Sequence, residues 1–394
     1  MALTAYGGKA FTQFAELTGP TIFTSNKDVI NDAQKTNYGT LGYMLRGQQM
    51  SDVLRGGSNI QDRVYLSATN KDISYLPGQD ISYSISETGT QWSAGWRFFL
   101  NYIAWSDEAV MLNSGGSRSS KEARFHAYKD YWFELQQNLH TDQMNAWESR
   151  MWAVPDSATM EASGAKEMFS IPVFITENDS GQHALESDGS TQYNGGGTVA
   201  GIDPDTHAKW ANHVETYPSA TGFTVGSITN VLQKLDLAYK STDFRPPPMS
   251  KEYFENPQKA QRPMPWIACS KTGHSQLIYL YRESKDRWVD MKDPFFTPTY
   301  AGAPVVYVGE LDTAALYDVG SSLATESAAT KDGPRYYGIQ PQYLRMVFHE
   351  DRYFESLGTF TDKSQPTTHV MPINTWGQLV PRSRARHFII APAD

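Results

Sequence analysis

The longest regular pattern in the sequence is an apolar stripe that predicts one helix over residues 119–154. Ser119 with Glu122 three residues later forms a capping box, and Pro155 ends the helix. At about 1.5 Å per residue such a helix would be roughly 50 Å long, which suits the spine of an extended molecule. A break near residues 140–142, giving ordinary core helices, is the alternative. The stripe consists of Phe125, Tyr128, Trp132, Leu135 and Leu139 and, after a slip, Met144, Trp147 and Met151.

The part of the chain before this helix contains few apolar clusters and then several strands. Residues 1–60 are rich in glycine and small polar residues, so we expect an arm without a core of its own and with a short helix over 43–54. Residues 61–112 indicate a projecting β-hairpin that needs a partner, because two strands with a polar face do not bury themselves. The predicted strands are 63–66, 81–85 and 96–105.

The part after the helix indicates a mixed α+β structure. A strand over 169–176 would lie at a sheet edge because of Pro172, and a long polar loop follows over 177–204. The pattern then predicts helices over 224–239 and 273–283 and strands over 266–269 and 304–308. Further strands over 343–348, 369–373 and 387–390 return the chain to the domain of the spine helix.

Composition excludes several classes of protein. The net charge of −9 provides no bulk positive field for nucleic acid, so any such contact would be a local patch. A single cysteine excludes an intrachain disulfide framework. We found neither a secretory signal nor an apolar run long enough to cross a bilayer, so we expect a soluble protein without membrane contact.

No motif assigns a catalytic, cofactor-binding or metal-binding residue. Cys269 with His274 is a weak nucleophile pair, because the cysteine lies in an apolar strand pattern. His207 and His213 lack the spacing of a zinc site, and residues 270–273 form a turn rather than a phosphate loop. The acidic loop lacks EF-hand spacing. The remaining candidate is a basic strand face, either solvated or contacting a partner, made of Arg382, Arg384, Arg386 and His387.

The order of these elements resembles the major capsid protein of tailed bacteriophages, with the Hong Kong 97-type fold. The resemblance covers nearly the whole chain. The residue strings that carry it are 98–108 (FFLNYIAWSDE), 147–152 (WESRMW), 170–174 (SIPVF), 210–214 (WANHV), 302–306 (GAPVV) and the closing stretch 376–392.

The resemblance implies four regions and a structural role. They are an N-terminal arm (1–60), an extended loop (61–112), a peripheral domain with the spine helix (113–220 and 346–394) and an axial domain (221–345). It implies a subunit, not an enzyme, that assembles in the host cytoplasm as hexamers and pentamers. The resulting icosahedral virion shell would enclose double-stranded DNA, held only by weak non-specific contacts.

Two departures from the resembled family shape the expected partners. Some relatives carry a charged helical segment ahead of the arm; because this segment is missing here, we expect a separate scaffolding protein. Some relatives crosslink a lysine of the extended loop. Lys71 lies on that loop, but no motif supports the reaction, and we expect no crosslink. A portal is a further expected partner, and the resemblance leaves room for a decoration protein.

Three alternatives stay open. An encapsulin-like nanocompartment shell protein would share the fold but bind cargo enzymes on its inner face. A carbohydrate-active enzyme would use the high aromatic content, 13% of residues, beside a pair of carboxylates that the sequence does not single out. A tail or decoration protein is the third alternative.

Overall fold

The computed structural model describes a subset of the chain, which contains both helices and β-sheets. The described residues are 40, 44, 53–66, 89–108, 138–152, 166–176, 185–186, 192–193, 199–202, 207–218, 225–244, 265–284, 299–312, 334–361 and 366–393.

The strands and helices are numbered in chain order. The strands are β1 (Val53–Leu54), β2 (Asn59–Tyr65), β3 (Gly89–Gly95), β4 (Arg97–Ser106), β5 (Leu185–Glu186), β6 (Gln192–Tyr193), β7 (His213–Pro218), β8 (Trp266–Cys269), β9 (Thr299–Tyr300), β10 (Ala303–Tyr307), β11 (Tyr336–Ile339), β12 (Leu344–His349), β13 (Glu355–Ser356), β14 (Phe360–Thr361), β15 (Thr368–Pro381) and β16 (Phe388–Ala393). The helices are α1 (138–152), α2 (Ile171–Phe174), α3 (Val225–Ser241) and α4 (Lys271–Ser284).

The chain forms two compact units. The described residues of unit 1 come from 99–146 and 354–375. Those of unit 2 come from 37–98, 147–353 and 376–394. This α+β architecture agrees with the predicted fold class, whereas the division into arm, extended loop, peripheral domain and axial domain stays a prediction.

Unit 2 is built on a six-stranded mixed sheet in the order β7-β16-β11-β8-β10-β9. The pairs β7–β16 and β8–β10 are parallel, and the other pairs are antiparallel. Strands from both the predicted peripheral domain and the predicted axial domain share this sheet. The sequence did not predict β7 or β11.

Helices α3 and α4 cover this sheet with apolar side chains. The buried stripe of α3 contains Val231, Leu235 and Ala238, at the three- and four-residue spacing of a helix face. The same cluster contains Leu277 of α4 and Phe388 of β16. A side chain at Gly338 would overlap the ring of Phe388, so this close strand packing requires glycine. These two helices and the strands β8, β10 and β16 confirm the sequence prediction to within a few residues.

Unit 2 also contains shorter strand pairs. Strand β1 pairs in parallel with β12, and β12 pairs with the last residues of β15. Strands β2 and β3 form an antiparallel hairpin in which Ile60, Trp92 and Ala94 are buried. The described part of the hairpin therefore covers one face within its own chain, where we had expected burial only on a neighbour. The predicted strand 81–85 lies outside the described residues.

Helix α1 tests the second half of the predicted spine. The chain is helical without interruption from 138 to 152, so the alternative break near residues 140–142 is wrong. Leu139, Gln143, Trp147 and Met151 are all buried at four-residue steps. The apparent slip in the stripe arose because one member, Gln143, is polar. Residues 119–137 and the predicted end at Pro155 lie outside the described residues.

Two local predictions are wrong. Residues 171–174 form the single helical turn α2 rather than a strand, and Pro172 fits there because a first helical turn needs no amide donor at that position. The predicted helix over 43–54 does not reach its end, because Val53 and Leu54 pair with Phe348 and His349 as a strand. None of the helices in the described part of the chain is long and apolar enough to span a membrane.

Candidate assembly surfaces

Strand β4 has apolar residues on both of its faces, and the described residues of unit 1 bury only one of them. Trp105 lies in a buried cluster with Leu139, Met371 and Ile373, and Ile103 packs against this cluster. Successive side chains of a strand point to opposite faces. Leu100 and Tyr102 therefore point away from the cluster, and they are 61% and 62% exposed.

A second exposed aromatic side chain lies on the same face of unit 1. Phe360 of β14 is opposite Val370 of β15, and residues opposite each other in a ladder share a face. Val370 alternates with Met371, which belongs to the buried cluster, so Phe360 and Val370 point away from that cluster. Phe360 is 54% exposed. Leu100, Tyr102, Phe360 and Val370 form a surface that we call the outer face.

Polar contacts fix the opposite, inner face of unit 1. The side-chain amide of Gln143 donates to Thr375 Oγ1 at 2.7 Å, and both residues are buried. His369 Nε2 lies 3.0 Å from Asp107 Oδ1, and the His369 ring lies 5.9 Å from the Trp105 ring. These contacts hold β15 to α1 and β4, so the outer face is presented on a rigid support.

The outer face has the chemistry of a protein contact. Contiguous exposed apolar side chains mark interaction sites, and aromatic residues are enriched in interfaces. Complete burial of a side chain such as Leu100 contributes about 1.5–3 kcal/mol. The sequence analysis missed this face, although one signal was present: β4 has apolar residues at both alternating sets of positions, as in a strand covered on both sides.

The predicted basic strand face does not exist, because residues 382–387 form a turn and a short connection between β15 and β16. Its three arginines have three different partners. Arg386 Nη1 lies 2.6 Å from an oxygen of Asp243, and Arg382 Nε lies 3.9 Å from an oxygen of Asp62. Arg384 is fully buried.

Arg384 has a structural role in a buried polar network. Its Nε donates to the Phe174 carbonyl at 2.8 Å, and its Nη2 donates to Thr176 Oγ1 at 3.3 Å. Asn212 Nδ2 donates to the Thr176 carbonyl at 2.8 Å. Because a buried charge is costly without hydrogen bonds, the contacts of Nε and Nη2 offset part of the cost of burying the guanidinium and tie α2 to the residues before β7.

The other sequence candidates also have structural environments. His387 is buried, burial lowers its pKa to about 3, and its Nδ1 accepts a hydrogen bond from Gln340 N, so the ring is neutral. Cys269 is buried in β8 with its thiol 3.7 Å from the Val306 carbonyl. Burial also lowers the pKa of His274, whose ring lies 6.4 Å from that of Tyr307.

The remaining motifs from the sequence also lie in structural contacts. The predicted turn at 270–273 is instead the start of α4, with Ser270 Oγ accepting from Gly273 N at 3.4 Å. His213 Nε2 lies 3.1 Å from Glu215 Oε1, and Lys234 pairs with the same carboxylate. No group of His, Cys, Asp or Glu in the described residues is arranged to hold a metal ion. Lys71 lies outside the described residues.

Comparison of the sequence with protein-family models and with curated proteins gives no match. Comparison with solved structures gives matches over the whole fold. A chain from the capsid asymmetric unit of cyanophage A-1(L) is 13% identical with a TM-score of 0.55, and the match covers 95% of this chain and 98% of that one. This chain has a phage capsid fold.

A second structure supports the same conclusion. A chain from the capsid of the native GTA particle is 11% identical with a TM-score of 0.50, and the match covers 100% of this chain and 99% of that one. The resemblance found in the sequence is thus confirmed at the level of the fold. The outer face of unit 1 is an exposed apolar surface on this phage capsid fold.

Proposed function

We propose that this chain is a major capsid protein, a structural subunit that assembles as hexamers and pentamers into an icosahedral phage head around double-stranded DNA. The observation that carries the proposal is the exposure of one apolar face of β4. Its inner side chains, such as Trp105, are buried by the chain itself, whereas Leu100 and Tyr102 remain exposed. In a chain with a phage capsid fold, a second copy is the natural partner for that surface.

The proposal extends to partners and location. The subunit would act in the virion after assembly in the host cytoplasm, with a separate scaffolding protein and a portal, and with room for a decoration protein. DNA would be held by weak non-specific contacts, because a net charge of −9 opposes strong phosphate binding. The role is structural rather than enzymatic.

Electron microscopy of the purified full-length chain tests this function. We expect closed icosahedral shells, and light scattering should show particles far larger than one subunit. Nuclease-protected DNA inside particles from infected cells would separate a phage head from an encapsulin-like shell, which would contain cargo enzymes. A chain that stays monomeric at high concentration with its phage's scaffolding protein present would contradict the proposal.

The carbohydrate-active enzyme has less support. A broad groove in unit 2 is lined by aromatic side chains, but none of the described residues that line it is Asp or Glu. Glycoside hydrolysis requires a pair of carboxylates across the cleft. Activity of the purified chain on glycans would favour the enzyme.

A further inference from the structure

The groove in unit 2 has a volume of about 760 Å³, within the range of sites that hold a ligand or a short peptide segment. One wall is the glycine-containing segment before β2, and the rest comes from the β3–β4 junction, from side chains of β12 and β15 and from Lys166, which precedes α2. The lining residues are Gly56, Gly57, Ser58, Asn59, Gly95, Trp96, Arg97, Phe98, Lys166, His349 and Trp376. We call this surface the cationic groove.

Aromatic rings in edge-to-face contact form the apolar wall of the cationic groove. The Trp376 ring lies 4.8 Å from Phe98 and 5.1 Å from His349, and His349 lies 5.6 Å from Trp96. Trp96 Nε1 donates to the Gly57 carbonyl at 3.0 Å, which fixes the opposite wall. Phe98 nevertheless remains 61% exposed, so the wall can bury more apolar surface when it is covered.

The charged side chains of the groove all carry one sign. Arg97 and Lys166 are basic, and no acidic residue is among the lining residues. Arg97 is held in place because its Nε donates to the Glu167 carbonyl at 2.8 Å. Lys166 is exposed and forms no ion pair with any residue that the structure describes. The groove therefore combines a fixed guanidinium, an available ammonium group and aromatic rings in edge-to-face contact.

The glycine wall leaves room for another backbone. Gly56 and Gly57 have φ values of 152° and 114°, which side-chain-bearing residues rarely adopt. An added Cβ at Gly56 would meet no atom within 4 Å. An approaching peptide can therefore reach the main chain of Gly56 and Gly57 without a side chain of these residues in its way.

We propose that the cationic groove binds an acidic segment of a second copy of this chain. This inference rests on the proposed function, since it requires self-association. Charge complementarity identifies the partner: the chain has 43 acidic against 34 basic residues, so another copy presents mainly negative charge. Arg97 and Lys166 are the positive charges that such a segment would meet in the groove.

Zero-length carbodiimide crosslinking of assembled particles tests the proposal directly, because it joins a lysine amine only to a carboxylate in contact with it. Particles made from a mixture of ¹⁴N- and ¹⁵N-labelled chains distinguish links between copies from links within one copy. We expect Lys166 to be joined to an Asp or Glu of the other isotope. Links only within one copy, or none at Lys166, would overturn the proposal.

Charge reversal provides the matched functional test. Lys166→Glu should raise the protein concentration needed for assembly about tenfold and weaken its salt dependence. Lys240→Glu, an equal change at an exposed position of α3, should leave both values near those of the wild type. Equal behaviour of the two variants would contradict the proposal.

Two further outcomes keep the interpretations apart. If the wild-type chain forms no shells, the proposed function fails. If shells form normally and Lys166→Glu has no effect, only the assignment of the groove fails. Protection of Lys166 from amine labelling by a single-stranded oligonucleotide, and not by assembly, would identify a nucleic-acid site and overturn the proposal.

Discussion

Strand β8 of unit 2 and the part of β4 in unit 1 (residues 99–106) both have apolar residues at both alternating sets of positions, but their environments differ. All residues of β8, from Trp266 to Cys269, are fully buried. Strand β4 is also apolar at both alternating sets of positions, yet Leu100 and Tyr102 on one face are more than half exposed. The same apolar pattern is thus buried on both faces in unit 2 and exposed on one face in unit 1. The difference shows where the described part of the chain leaves an apolar strand face without a covering layer.

Removal of a large core side chain should have the largest effect on the subunit. Phe388→Ala should lower the free energy of unfolding by about 3–5 kcal/mol, because it leaves a cavity beside Phe244. The matched change Phe360→Ala on the outer face should cost less than about 1 kcal/mol. Urea unfolding of the unassembled chain measures both. Equal losses would mean that the outer face is a core of the subunit.

Loss of the buried guanidinium should have the next largest effect. Arg384→Met should lower the free energy of unfolding by about 3 kcal/mol, because the Phe174 carbonyl and Thr176 lose their charged donor. Arg386→Met removes a more exposed ion pair with Asp243 and should cost less than about 1 kcal/mol. Urea unfolding again provides the measurement. Similar losses of unfolding free energy in the two variants would contradict a stabilising role for the Arg384 network.

The pH dependence of the free energy of unfolding should show the contribution of His387. Burial lowers the pKa of this side chain to about 3, whereas an unfolded chain binds the proton near pH 6.5. As pH falls through this window the unfolded state gains the proton first, so stability decreases by up to about 1.4 kcal/mol per pH unit.

The variant His387→Asn isolates this contribution, because its side-chain oxygen can replace Nδ1 as acceptor for Gln340 N. Unfolding curves between pH 4 and 7 should show a shallower pH slope for the variant than for the wild type. An identical slope in both proteins would mean that His387 does not contribute.

A charge on the outer face should have the smallest effect on folding and a large effect on assembly. Leu100→Asp should change the free energy of unfolding of the single subunit by less than about 0.5 kcal/mol, because the side chain is exposed. Buried against another copy, the carboxylate would be costly, so shells should be lost.

Leu237→Asp is the matched control for this variant, since Leu237 is 49% exposed on α3 of unit 2. It should leave shell formation intact in size-exclusion chromatography with light scattering. If Leu100→Asp formed normal shells, the outer face would not be a contact between copies. The difference in exposure between β4 and β8 would then have no role in assembly.

Periodicity predicted the elements whose pattern is set locally. The three- and four-residue steps of α3 and the apolar run of β8 appear in the structure close to their predicted bounds. The resemblance carried by the order of elements predicted the phage capsid fold. Prediction failed where a polar or proline residue is compatible with two local structures. Pro172, for example, suits both a strand edge and a first helical turn.

The tertiary structure decided which apolar and charged residues face the protein and which face outward. In the sequence, nothing distinguishes Arg384 from the neighbouring arginines. It becomes a buried hydrogen-bond donor because α2 and Asn212 pack around it. Leu100 is as apolar as a core residue, but it is exposed, and no layer built from the described residues covers it. A sequence determines periodicity because backbone geometry is local, whereas burial depends on which distant segments are available to pack.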